Sequence, residues 1–116
     1  MRFDLRKGSL DIGQTLQDSV RRRLHFVLSR FGFRVRRVTV TLAETRADAA
    51  ASLDTRCRMI VQLAPSGKVR VEVTDSDPEN ALRRAVHRIG PAVDREIVRA
   101  RENVVRDRER GSTAST

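Results

Sequence analysis

The chain has 116 residues, 39% hydrophobic and 34% charged, and a formal net charge of +9, which makes one domain with a small core and an excess of positive charge. That length leaves no room for a second domain, no apolar run approaches the ~18 residues that span a bilayer, and Met1-Arg2-Phe3-Asp4 opens no secretory signal. One cysteine excludes an internal disulfide, and Cys57, His25 and His87 are too widely spaced for a zinc site.

Arg2 to Arg6 alternates polar and apolar, a short strand with Phe3 and Leu5 inward, and Lys7-Gly8-Ser9 breaks it. Asp11 or Gly13 then caps a helix from Gln14 to Phe31. Its apolar stripe is Leu16, Val20, Leu24, Val27, Leu28 and Phe31. Arg22, His25 and Ser29 lie opposite that stripe, Arg23 and Arg30 flank one side of it, and Gly32 ends the helix. Val35 to Leu42 returns to period 2 as a second strand. Thr45 to Asp54, rich in alanine and anchored only by Leu53, reads as a mobile loop.

Arg56 to Leu63 and Val69 to Val73 alternate around the turn Pro65-Ser66-Gly67 and form an antiparallel hairpin. Asp77 caps a second helix with Pro78 at its first position. Its stripe runs from Leu82 to Val104, and Gly90-Pro91 should kink it. Residues 1–106 then form the domain, and 107–116 a disordered polar tail. The order β-α-β-β-β-α, with single-faced elements, predicts a two-layer α+β sandwich, a four-stranded sheet with both helices on one face. The open face would show Arg2, Asp4, Arg6, Thr39, Thr41, Arg56, Arg58, Gln62, Arg70 and Glu72.

All but two of the 24 basic residues are arginine. A GC-rich genome would produce that ratio, but not the net charge. Arginine forks suit phosphate oxygens and exposed bases, so RNA is the polyanion expected. No Gly-rich phosphate loop or hydrolase motif occurs, and the histidines lack acid–base partners nearby in sequence, so no enzyme, cofactor, small-molecule substrate or membrane is expected. Cys57 reads as a core thiol, and Asp75 and Asp77 as capping groups rather than metal ligands.

Four stretches carry a family resemblance: MRFDLRKGSLDIGQTL, VRRRLHFVLSRF, VRRVTVTL and VEVTDSDPENALRRAVHRI. In element order and apolar positions the chain resembles the ribosome hibernation-promoting factors, also called ribosome-associated inhibitors, protein Y or sigma-54 modulation proteins, over roughly residues 1 to 100. The resemblance implies a cytoplasmic translation regulator of stress and stationary phase. It would bind the small ribosomal subunit and its RNA in the mRNA and tRNA cleft, without chemistry. It also implies RNA contacts from Arg22, Arg23 and Arg30 on the first helix and from Arg83, Arg84 and Arg88 on the second. Arg23 and Arg88 fall where the family usually has lysine, and Arg83 where it has aspartate. The alternative is a generic binder of structured RNA, built like a double-stranded RNA-binding domain. That build lacks the first strand, so pairing of residues 2 to 6 in the sheet discriminates between the two.

Overall fold

The computed structural model describes residues 1–6, 12–46 and 53–114. The expected break at Gly8-Ser9, Asp11 as a cap, and residues 47–52 of the expected loop lie outside them. The elements are β1 (Arg2–Arg6), α1 (Gln14–Leu28), a 3-10 turn (Ser29–Arg34), β2 (Val35–Arg46), β3 (Leu53–Leu63), β4 (Lys68–Asp75) and α2 (Pro78–Ala114). The sheet order is β1-β2-β3-β4. β1 pairs parallel to β2, Phe3 opposite Val38 and Leu5 opposite Val40, and the other pairings are antiparallel. The first strand therefore belongs to the sheet, unlike in a double-stranded RNA-binding domain.

Alternation along the strands sends one set of side chains to a single core. Val38, Val40 and Leu42 of β2, Cys57, Met59 and Val61 of β3, and Val69, Val71 and Val73 of β4 are buried there. Val20, Leu24 and Leu28 of α1 meet them, with Leu82, Ala85, Ile89 and Val93 of α2. This is the two-layer sandwich expected from the order of elements.

Three expectations need correction. β2 and β3 reach further than their apolar patterns: Thr45 pairs with Asp54 and Arg46 with Leu53, so the ends of the expected loop are strand. Once two strands are in register, adding ladder bonds outweighs weak local propensity. The α-helical part of α1 stops at Leu28, three residues early, because Gly32 adopts φ +59° and the chain tightens into a 3-10 turn before reversing. The α2 helix runs on through the Gly90-Pro91 step, with Pro91 inside it. Gly90 has another role: a Cβ there would stand 2.8 Å from Val27 Cγ1, so it lets α1 approach α2 closely. Finally, α2 continues to Ala114, past Arg106, where the sequence reading starts a disordered tail. The arginine and glutamate of that stretch are good helix formers, and propagating an existing helix costs far less than starting one.

The turns form as expected. Gly67, at φ +118°, closes the β3–β4 hairpin, its carbonyl accepting from Leu63 N–H at 2.9 Å. Asp77 caps α2, its Oδ1 accepting from Glu79 N–H at 3.4 Å.

Candidate nucleic-acid interface

The two faces of the molecule hold their arginines differently. On the open sheet face Asp4 and Glu72 each sit between two guanidinium groups. Glu72 Oε2 accepts from Arg70 at 2.9 Å and from Arg58 at 3.2 Å. Those two hydrogen bonds, that of Arg70 foremost, hold the Glu72 carboxyl below its ordinary pKa. Asp4 lies 3.4 Å from Arg37 and 4.0 Å from Arg2. Arg37 is absent from the face read off the sequence. Alternation with Thr39 and Thr41 places it there, opposite Arg2 and Gln62, while a bulge between Val35 and Arg37 turns Val35 into the core. Lys68, opposite Gln62, also joins this face.

The six helix arginines are all exposed, but the fold does not gather them into one site. Arg22 and Arg23 rim a depression of about 430 Å³ floored by Phe26, Val27 and Val86. Arg23 and Arg83 share a second, smaller hollow with Glu79. Arg22, Arg23 and Arg83 thus converge on the seam between α1 and α2. Arg30 lies along the same seam: its Nη2 is 4.0 Å from the position a Cβ on Gly90 would take, and its guanidinium stands 4.6 Å from the centre of the Phe31 ring. Among the described residues none of Arg22, Arg23, Arg30, Arg83 or Arg88 is in an ion pair. Their positive potential is therefore available to a partner.

The other two sit elsewhere. Arg84 donates to Asp75 Oδ2 at 3.2 Å and to the Thr74 carbonyl at 3.4 Å, which ties it to the β4–α2 corner. The Asp75 carboxyl is held below its usual pKa, first by the Asp77 backbone N–H and then by Arg84. Arg88 is on the far flank of α2, where it shares a hollow of about 620 Å³ with Arg70, His87 and Arg95 beside the β4 edge. Arg95 was not singled out in the sequence. Nor was Phe26, whose ring is 82% exposed. Its signal was legible: an aromatic off the apolar stripe, amid arginines.

Among the described residues no group of His, Cys, Asp and Glu could hold a metal ion, and no helix is long and apolar enough to cross a membrane. A mixed four-stranded sheet, helices on one face and a cationic seam between them define a basic α+β binding domain. The chain belongs to the Sigma 54 modulation protein / S30EA ribosomal protein family, whose model matches residues 5–102. It is similar to the N-terminal domain of Protein Y from Thermus thermophilus, with 30% identity and a TM-score of 0.64 over 82% of this chain and 98% of that one. It shares its fold with a ribosomal subunit interface protein from Coxiella burnetii, at 12% identity and a TM-score of 0.68 over 82% of this chain and 96% of that one. No curated protein matches the chain. The family consists of ribosome-associated modulation and hibernation factors, not enzymes, and its partner is the ribosome.

Proposed function

We propose that this protein binds the small ribosomal subunit, in the cleft where mRNA and tRNA sit, and silences translation in the cytoplasm during stress or stationary phase. It does so by occupancy, its helix arginines engaging ribosomal-RNA phosphates. One observation carries the choice of surface. Arg22, Arg23 and Arg83 converge on the α1–α2 seam and form no ion pair among the described residues, although Glu79 borders the hollow of Arg23 and Arg83, whereas the sheet arginines 2, 37, 58 and 70 flank Asp4 or Glu72. A guanidinium already bonded to a carboxylate gains less from a phosphate, because that pair must first loosen. Arg88 and Arg30 extend the contact on either side of α2, and Arg84 contributes least because Asp75 holds it.

The test is co-sedimentation with purified small subunits on sucrose gradients across a salt series. Replacing Arg23 and Arg83 together by alanine should weaken binding, while the sheet triple variant Arg2→Ala, Arg58→Ala, Arg70→Ala should retain most of it. The reverse pattern would move the interface to the sheet. A wild-type protein that never sediments with small subunits at low salt would end this reading.

A further inference from the structure

We propose that Phe26 is a stacking platform for an unpaired RNA base, framed by Arg22 and Arg23, and this rests on the RNA-binding reading above. Phe26 is 82% exposed although it sits in the last turn of a helix whose other apolar side chains turn inward. The molecule does not need it for packing, since Val20, Leu24 and Leu28 are buried in the core and Phe31 packs against it. On the α1 helix, positions 22 and 23 are the i−4 and i−3 neighbours of 26, so the ring has two guanidinium groups one turn before it.

Val27 and Val86 extend its apolar surface to a floor beneath a hollow of about 430 Å³. An apolar floor with a cationic rim matches a nucleotide: the base covers the ring and the flanking phosphates meet the arginines. Stacking on an aromatic side chain tolerates any base, because every base has a π-face, and it demands that the base be unpaired. An apolar protein partner would have to strip water from Arg22 and Arg23 in reaching the ring, with no charge to offset it. Phe33, 91% exposed on the 3-10 turn, does not border this hollow and provides a built-in contrast.

The sequence contains no Trp and no Tyr, so Phe26→Trp introduces a single indole at the proposed platform. The probes are oligoadenylate of about eight nucleotides and a fully paired RNA duplex of the same length. Indole fluorescence should be quenched on saturation with oligoadenylate and stay unchanged with the duplex. Phe26→Ala should bind oligoadenylate about tenfold more weakly with an unchanged salt slope, because stacking releases no counterions. Arg22→Ala with Arg23→Ala should flatten that slope. The thermal melt of Phe26→Ala should match the wild type, given the ring's exposure. The proposal is overturned if Phe26→Ala binds like the wild type, if Phe33→Ala loses as much, if the indole is not quenched, or if oligoadenylate does not bind at low salt. When the arginine pair matters and Phe26 does not, only the stacking role falls; when the arginine pair has no effect, the seam itself is wrong.

Discussion

Leu24 and Val71 belong to the same core, one on α1 with no exposed surface and the other on β4 with 9%. Leu24→Ala should lower unfolding free energy by about 2–5 kcal/mol and Val71→Ala by about 1–3 kcal/mol, measured by urea titration, through lost burial and an unfilled cavity. Cys57 is a sharper probe. Burial pushes its thiol pKa up to about 12 from a reference of 9.0. The folded thiol therefore stays protonated while the unfolded one ionises, so stability falls as pH rises from about 9 toward 12. Cys57→Ala should flatten that alkaline slope, and aromatic disulfide reagents at pH 8 should label Cys57 only after denaturation. Glu72 has the opposite sign. Its lowered pKa stabilises the fold above the reference value of 4.5, and that contribution is lost as pH falls through the folded value.

At the scale of elements, the contact of Gly90 with Val27 sets how closely the two helices run. Alanine at 90 gains about 0.5–1 kcal/mol of helix propensity. It must also push against a β-branched side chain with one preferred rotamer, and overpacking of that kind costs about 1–3 kcal/mol. Gly90→Ala should therefore melt lower than the wild type. Adding Val27→Ala should return part of the loss, a positive coupling read from a double-mutant cycle. Because the seam holds Arg22, Arg23 and Arg83, the single variant should also weaken small-subunit binding through altered spacing of the arginines. The apolar stripes of both helices and the capping residues Asp77 and Pro78 were legible in sequence, since each is a local signal. The extra pairs at Thr45–Asp54 and Arg46–Leu53 were not, since those residues carry no strand pattern and are held by a ladder begun elsewhere.

For the whole molecule the relevant quantity is the net charge of +9 and its division between faces. Binding governed by phosphate contacts should weaken linearly in logarithmic salt, by about 0.7–0.9 log units per contact by analogy with simple nucleic acids. The Arg23→Ala, Arg83→Ala variant should flatten that slope by about one to two units. Arg88→Ala should flatten it less, because Arg95 borders the same hollow and keeps its potential positive, the charge of Arg70 being offset by Glu72. Gradients at several salt concentrations measure all three slopes.

Composition, periodicity and turn chemistry determined a great deal alone: one small basic α+β domain, its strand order along the chain, its core residues, and a family resemblance the family match bears out. These follow from side-chain periodicity, which is set by local backbone geometry. Only the tertiary structure decided which arginines meet. Arg83 and Arg84 are adjacent in sequence, yet one joins Arg23 across the helix seam while the other turns to Asp75 at the strand corner. Val35 turned into the core through a bulge, and Gly90 proved to be a point of close approach. Such outcomes depend on distances between elements far apart in the chain, and those distances are fixed by packing, which has no local signature.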